Sequence, residues 1–205
     1  MKIPTPDEIK QGYQEFQRRE KRDAMYKTAT FLVAHFWGKP AEMADSLGVL
    51  LLTWNQAFYR YGSFDFDQLE ECIKENLSFL EKYRVKSILG YNSNDDKVVS
   101  RLFREFLIAL QISDGNKAGT KSPVATAKAL HLLAPDYFPL WDDKIARAYD
   151  CYYSNKPEGK YLKFMSICQQ IATTLHMAMD RQNTGKTLLK LIDEFNYARY
   201  TKGWI

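Results

Sequence analysis

Residues 119–149 have the sequence GTKSPVATAKALHLLAPDYFPLWDDKIARAY, and this stretch decides the fold. It begins as a glycine-containing loop. Ser122-Pro123 then predicts a helix start, because serine caps helix N-termini and proline is favoured in the first helical turn. The apolar run ends at Pro135, and a turn around Pro139 leads to Asp142 at or near the start of another helix. The stretch therefore predicts two helices joined by a proline-containing turn.

Helical patterns recur through the rest of the chain, and strand patterns are nearly absent. Pro40–Tyr61 is predicted as one helix, and its run Leu47–Trp54 is apolar nearly all round, which is typical of a buried central helix. Residues 65–83 and 95–112 also place apolar side chains at helical spacing. Glycine and proline separate the segments. We therefore expect an all-α protein of about nine or ten helices.

The composition predicts a soluble globular chain with a modest preference for anionic partners. Its 205 residues suit one domain, and 45% are hydrophobic and 26% charged. The net charge is +4, from 29 basic and 25 acidic residues, so a partly basic surface could bind phosphates in a salt-dependent way. No apolar run approaches the roughly 18 residues of a membrane span, so we expect no membrane partner.

Cysteine and histidine usage argues against metal and disulfide chemistry. The three cysteines are Cys72, Cys151 and Cys168, and the three histidines are His35, His131 and His176. The cysteines are odd in number and far apart, which favours a reducing cytoplasm over a disulfide framework and excludes a local four-cysteine metal site. The histidines form no pair at helical ligand spacing. We therefore predict a cytoplasmic protein with no metal and no cofactor, and a monomer is the working assumption.

The loop before Ser122 has the chemistry of a phosphate contact. It contains Gly115 and Gly119, and Lys117 and Lys121 add positive charge close to a helix N-terminus. Such a terminus offers unpaired N–H groups and the positive end of the helix dipole. Asp142, taken alone, is interpreted as a helix N-cap.

These residues together resemble the helix-hairpin-helix DNA glycosylase superfamily. Members have a loop-to-helix element ending in Thr-Ala, a connecting helix, a proline-containing turn and an aspartate in the pattern V-D-x-x-[IV]-x-R. The matching positions are Thr126, Ala127, Asp142, Ile145 and Arg147. The resemblance implies that Asp142 is catalytic. It also implies two lobes, about residues 40–121 and 1–39 plus 122–205.

A second match lies upstream and implies further contacts with DNA. Residues 51–56, LLTWNQ, resemble the family's Leu-Leu-Ser-x-Gln, where a polar residue probes the duplex. Asn55 and Gln56 both remain candidates for that role, and the alternative is that both only face solvent at a helix end. The predicted DNA-contacting set is Asn55, Gln56, Lys117, Gly119, Lys121, Ser122, Thr126 and Arg147. The predicted base-pocket aromatics are Trp54, Tyr59, Tyr61 and Trp141.

The chain departs from the family at two places. The usual Gly-x-Gly of the hairpin corresponds to Lys121 and Pro123, which puts the standard phosphate contact in question. The lysine of the bifunctional members corresponds to Ala125, and Lys128, three residues on, is expected to point to a different part of the helix. The resemblance therefore implies a monofunctional enzyme, without the Schiff-base chemistry that such a lysine provides.

The implied mechanism begins with flipping a base out of the duplex, because the glycosidic bond is hidden there. Asp142 would stabilise the cation-like sugar as the bond breaks and orient water, and an abasic site with an intact backbone would result. The substrate remains open between oxidised, alkylated and deaminated bases. A modified base of a phage genome, with a role in defence, is a further open alternative.

Two other interpretations compete with the glycosylase. One is a non-catalytic helical module that binds DNA or protein on the same scaffold. The other is an unrelated helical protein in which Asp142 only caps a helix and Arg147 only forms a salt bridge. A glycosylase requires Asp142 in a cleft beside a basic surface. The binding module permits the basic surface without the cleft, and the third interpretation predicts neither.

Overall fold

The computed structural model describes residues 3–178 and 185–205, and these residues form helices and loops without strands. The ten α-helices are α1 (Pro6–Arg19), α2 (Ala24–His35), α3 (Pro40–Trp54), α4 (Gln56–Tyr59), α5 (Phe66–Arg84), α6 (Asp96–Ala109), α7 (Pro123–Leu133), α8 (Asp143–Ala148), α9 (Pro157–Ala178) and α10 (Leu188–Asn196). A π-helical turn, Tyr197–Thr201, continues α10. The predicted all-α fold of nine or ten helices is confirmed for the described residues.

Local capping chemistry fixes where several helices begin. Thr5 and Glu8 form a reciprocal capping box at α1, and Asp65 accepts hydrogen bonds from the first amides of α5. The Ser122 hydroxyl accepts from the Ala125 amide at 3.2 Å, and Pro123 occupies the first turn of α7. The predicted start of α7 is confirmed.

Helix α3 lies at the centre and packs against α2, α5 and α7. Close approach to the following segment is possible because residue 48 is glycine, where a Cβ would lie 2.3 Å from the Phe66 ring. The prediction of a single helix over Pro40–Tyr61 is wrong, since α3 ends at Trp54 and α4 begins at Gln56. The Trp54 carbonyl accepts a hydrogen bond from the Lys128 ammonium, and the Phe58 amide bonds to Asn55 instead.

Helices α1 and α10 pack together at close range and bring the two ends of the chain together. At Gly12 a Cβ would lie 2.7 Å from the Cα of Phe195, so only glycine fits there without a shift. The turn after α10 contacts α8. As a consequence, Asp193 and Thr201 lie near the start of α8.

The helix predicted to begin at or near Asp142 is α8, which is short and covers only Asp143–Ala148. Trp141 precedes it and packs among aromatic rings in the core. Its neighbours are Phe103, Tyr153, Tyr161 and Phe164. The three cysteines are free and buried.

Residues 3–178 and 185–205 contain no helix that is both long and apolar enough to cross a membrane. The division into two lobes stays a prediction. Across its proposed boundary, α6 packs against both α7 and α9.

Candidate active-site cavity

A cavity of about 650 Å³ lies where five parts of the chain meet. These parts are the connection between α1 and α2, the end of α3, the middle of α7, the start of α8, and α10 with its turn. The lining residues are Phe16, Arg18–Met25, Trp54, Lys128, Leu140–Asp142, Ile145, Lys190, Asp193 and Tyr197. A cavity of this size suits a small molecule or a single extruded base.

Asp142 lines the cavity and also caps α8. Its Oδ1 accepts a hydrogen bond from the Ile145 amide at 2.7 Å, and its Oδ2 accepts one from the Thr201 hydroxyl at 2.7 Å. These donors fix the orientation of the carboxylate. The N-cap interpretation of Asp142 is therefore confirmed, and the same side chain faces the cavity.

Lys128 forms part of the cavity wall and its ammonium is held in place on three sides. Nζ donates to the Trp54 carbonyl at 3.1 Å and to Asn55 Oδ1 at 2.6 Å, and it lies 4.7 Å from the centre of the Trp54 ring. Burial lowers the pKa of Lys128 to about 8, although Asp142 and Asp193 act in the opposite direction. No pattern in the sequence assigned this lysine to the site.

Two buried donors near this wall have no partner among the described residues. They are Nδ2 of Asn55, a side chain that is 8% exposed, and Nε1 of Trp141, which is 1% exposed. Buried polar groups are almost always hydrogen-bonded, and an unpaired one costs about 1–3 kcal/mol. Unpaired donors beside a cavity are therefore expected to bind an acceptor from water or a ligand.

A second carboxylate, Asp193 of α10, lines the same cavity. Burial raises its pKa to about 6, with Lys190 opposing the rise and Glu194 adding to it. Lys190 Nζ lies 3.6 Å from Asp193, 3.0 Å from Asp23 and 3.6 Å from Glu194. Burial lowers the pKa of Lys190, but these three carboxylates raise it more, so the lysine stays charged.

The mouth of the cavity is basic. Arg18, Arg19, Lys21 and Arg22 all line it and are exposed. Arg18 and Arg19 form salt bridges with Glu15, whereas Lys21 and Arg22 have no ionic partner among the described residues. Asp23 adopts a left-handed conformation with φ of 42°, and its bond to Lys190 holds this loop against α10. The basic stretch thus lies directly beside Asp142 and Asp193.

The four predicted base-pocket aromatics have different positions. Trp54 lines the cavity as predicted, and Trp141 forms its floor, too deeply buried to offer a full ring face. Tyr59 does not line the cavity, because it is buried and its hydroxyl donates to the Leu110 carbonyl at 2.9 Å. Tyr61 is exposed elsewhere, with the Arg60 guanidinium 4.5 Å from its ring. The assignments of Tyr59 and Tyr61 to the pocket are therefore wrong.

Asn55 and Gln56, the two candidates for the DNA-probing residue, are clearly distinguished. Asn55 is buried and bound to Lys128, so it is not the solvent-facing residue that filling a vacated base position requires. Gln56 is exposed at the start of α4, two residues after the cavity-lining Trp54. The alternative that both face solvent is wrong for Asn55.

The predicted phosphate-contacting groups in and after the loop before α7 are mostly hydrogen-bonded within the protein. The Gly119 amide donates to the Ile112 carbonyl at 2.8 Å, so it is not available to a phosphate. Ser122 is buried as the cap of α7, and Thr126 is fully buried with its hydroxyl bonded to the Ser122 carbonyl. Direct DNA contacts from Gly119, Ser122 and Thr126 are therefore not supported. Lys117 and Lys121 remain exposed.

Arg147, the last predicted DNA contact, is engaged within the protein. Its Nε lies 3.0 Å from Asp143, and its guanidinium lies 3.7 Å from the centre of the Tyr152 ring. The salt-bridge interpretation is confirmed. The residue is still half exposed, with 56% of its side chain accessible, but it does not line the cavity.

The cavity thus brings together Asp142, Trp54 and Trp141, which the sequence predicted, and Lys128, Asp193 and the basic stretch, which it did not. One local signal did exist for Asp193: the segment Leu188–Phe195 is apolar except for Lys190, Asp193 and Glu194, a pattern that indicates buried, paired charges. Comparison with protein-family models, with curated proteins and with solved structures finds no match to this chain.

Proposed function

We propose that the protein is a DNA glycosylase that hydrolyses the bond between a flipped base and its deoxyribose. The observation that supports this most is the position of Asp142: its carboxylate lines a cavity of about 650 Å³ whose mouth is formed by a basic stretch. A glycosylase requires this combination of cleft and basic surface. A helix cap without further function requires neither.

The basic mouth supports binding of the DNA backbone. Lys21 and Arg22 are exposed and unpaired among the described residues, so they can neutralise phosphates without first breaking a salt bridge. Phosphate contacts of this kind offset the few kcal/mol that extruding a base costs. Gln56 is the exposed side chain proposed to fill the vacated position in the duplex.

Inside the cavity, Asp142 faces the sugar of the extruded nucleotide. As the bond to the base breaks, positive charge develops at C1′, and a fixed carboxylate in a partly buried site stabilises it strongly. The hydrogen bonds from Ile145 and Thr201 hold the Asp142 carboxylate in one orientation before the substrate arrives. The proposed product is an abasic site with an intact backbone.

An unpaired donor on the cavity wall is proposed to recognise the base. Trp141 Nε1 has no acceptor among the described residues, and a carbonyl oxygen or ring nitrogen of a base would supply one. The Trp54 ring provides an apolar surface for stacking. Oxidised, alkylated and deaminated bases and the modified bases of phage genomes all remain substrates to test.

The test measures base release from duplexes carrying these lesions and modifications, with hot alkali revealing abasic sites as strand breaks. Wild type should release a base, and Asp142→Asn should lower the rate by about 10³-fold. Asp143→Asn is the matched control, because Asp143 is the adjacent carboxylate, is half exposed and is paired with Arg147. The control should retain the wild-type rate.

The alternative module predicts a different outcome. If wild type releases no base from any duplex but binds DNA in a salt-dependent way, and Asp142→Asn binds equally well, the protein is a DNA-binding module and Asp142 only caps α8. If strand breaks form without alkali and disappear in a Lys128 variant, the enzyme is bifunctional and the proposed product is wrong.

A further inference from the structure

The cavity contains two carboxylates whose surroundings differ in one decisive respect. Asp142 accepts two hydrogen bonds of 2.7 Å, one on each carboxylate oxygen. Asp193 accepts none from the described residues, and its contact with Lys190 is 3.6 Å long, beyond hydrogen-bonding distance. With 15% of its side chain accessible, Asp193 is still open to the cavity.

Burial is the main reason why Asp193 favours its protonated form, and the charges around it act in both directions. Its own helix contributes Lys190 and Glu194, the connection between α1 and α2 contributes Asp23, and α7 and α8 contribute Lys128 and Asp142. Lys190 is shared among three carboxylates and is 3.0 Å from Asp23, so it neutralises Asp193 only in part. Two carboxylates in one site rarely ionise together, and the less solvated one keeps its proton to higher pH.

From this arrangement we infer that Asp193 is the general acid that protonates the departing base, while Asp142 remains ionised and stabilises the sugar. The inference rests on the proposed glycosylase function. A pair of carboxylates kept in opposite protonation states is also how enzymes that hydrolyse sugar–sugar bonds divide their work.

The step is balanced as follows. The C1′–N bond breaks, and its electron pair goes to the base. The proton moves from the Asp193 carboxyl to a nitrogen or oxygen of the base, which leaves as a neutral molecule, and Asp193 becomes a carboxylate. Water adds its oxygen to C1′, and the proton it loses restores Asp193. The sum is hydrolysis of one N-glycosidic bond.

Other acidic groups nearby are less suited to this role. Glu194 is fully buried and bonded to Lys186, so it does not reach the cavity. The Lys128 ammonium donates to Trp54 and Asn55 and holds the wall together. Asp193 lines the cavity, and its pKa near 6 allows it to give up a proton close to neutral pH.

The experiment compares two kinds of leaving group. Duplexes carrying N7-methylguanine contain a cationic base that leaves as a neutral molecule without being protonated. Duplexes carrying hypoxanthine, uracil, 8-oxoguanine or 5-hydroxymethylcytosine contain neutral bases that benefit from an acid. Asp193→Asn should lower release of a neutral base by about 100-fold and change release of N7-methylguanine by only a few fold.

The pH profile gives a second, independent readout. It tests the acid role even if the enzyme releases only neutral bases. The wild-type kcat/KM on a neutral base should fall as the pH rises through about 6, because Asp193 then loses its proton in the free enzyme. Asp193→Asn should lack this limb, and Asp193→Glu should restore it. Thermal unfolding of each variant, followed by circular dichroism, checks that the fold is retained.

The outcomes separate this inference from the proposed function. An equal loss on cationic and neutral bases, or an unchanged pH limb in Asp193→Asn, overturns the acid role while Asp142→Asn still establishes a glycosylase. Wild type that releases no base from any duplex overturns both. Loss confined to neutral bases together with rescue by Asp193→Glu supports the assignment.

Discussion

The cavity around Asp142 and the loop of residues 113–121 both attracted functional predictions, but they differ in how their polar groups are paired. In the loop, the Gly119 amide donates to the Ile112 carbonyl, and the Ser122 hydroxyl directly after the loop caps α7. On the cavity wall, Trp141 Nε1 has no partner and the Asp193 carboxylate accepts no hydrogen bond from the described residues. Buried polar groups are normally paired, so complete pairing indicates a structural role, and incomplete pairing leaves a cavity group open to a ligand.

After substitutions of Asp142 and Asp193, substitution of Lys128 is expected to have the largest effect on base release, and it tests this comparison. Lys128→Met keeps most of the side-chain volume but removes the donors to the Trp54 carbonyl and to Asn55. The wall that contacts the base then loses its fixed geometry, and we expect base release to fall by about 100-fold. Single-turnover release from the best duplex substrate measures the effect.

Lys121→Met is the matched control, because Lys121 is exposed in the loop and has no partner among the described residues. It should release bases at nearly the wild-type rate under saturating DNA. Equal losses in both variants would mean that the two regions do not differ in the way proposed, and that charge alone determines activity.

A smaller effect is expected for DNA affinity. Lys21→Ser with Arg22→Ser removes the two unpaired cations at the cavity mouth, and Lys117→Ser with Lys121→Ser removes two from the loop. The first pair should weaken binding to duplex DNA by about 10-fold and reduce the dependence of log Kd on log salt by close to two charges. The second pair should change Kd by only a few fold.

Both double variants have the same change in net charge, so each serves as the other's control in fluorescence-anisotropy titrations at several salt concentrations. If the loop pair weakens binding as much as the mouth pair does, DNA spans both regions, and the loop regains the phosphate-binding role that the sequence predicted for it.

The parts of the fold and site that sequence reasoning predicted are those set by local pattern. The helical spacing of apolar residues gave the all-α fold, and Ser122-Pro123 gave the start of α7. Asp142 was predicted both as a cap and as a catalytic candidate: the cap is confirmed, and the catalytic role stays a prediction for a residue that lines the cavity. These features depend on residues within a few positions of one another.

The remaining features depend on packing between distant segments. Lys128 contacts a carbonyl 74 positions away, and this contact both ends α3 early and builds the cavity wall. Asp193 faces Asp142 only because α10 packs against α1 and its turn contacts α8. No local pattern at residues 18–22 reveals the cavity that lies beneath this basic stretch. Spacing along one helix cannot encode such neighbours.

The smallest expected effect on activity comes from His131, a buried polar group whose bonds are complete. Its Nδ1 donates to the Phe138 carbonyl at 2.7 Å, and its Nε2 accepts from the Tyr26 hydroxyl at 3.0 Å. Burial lowers the pKa of His131 to about 3, so the ring is neutral in the folded protein. By the rule of complete pairing, His131 positions α7 and takes no part in catalysis.

His131→Gln should therefore leave base release at pH 7 within a few fold of wild type and change how stability depends on pH. Below its ordinary pKa of about 6.5, the histidine binds a proton in the unfolded chain but not in the folded one, down to about pH 3. In that window it makes the free energy of unfolding fall with decreasing pH, by up to about 1.4 kcal/mol per unit.

Asp193, whose pKa is raised, acts in the opposite direction between about pH 6 and 4. Its contribution is present in both proteins and cancels in the difference between them. Urea unfolding from pH 4 to 7 should give His131→Gln a lower slope of unfolding free energy against pH than wild type. A wild-type slope in His131→Gln, or a large loss of base release at pH 7, would show that complete pairing does not separate structural from functional groups in this protein.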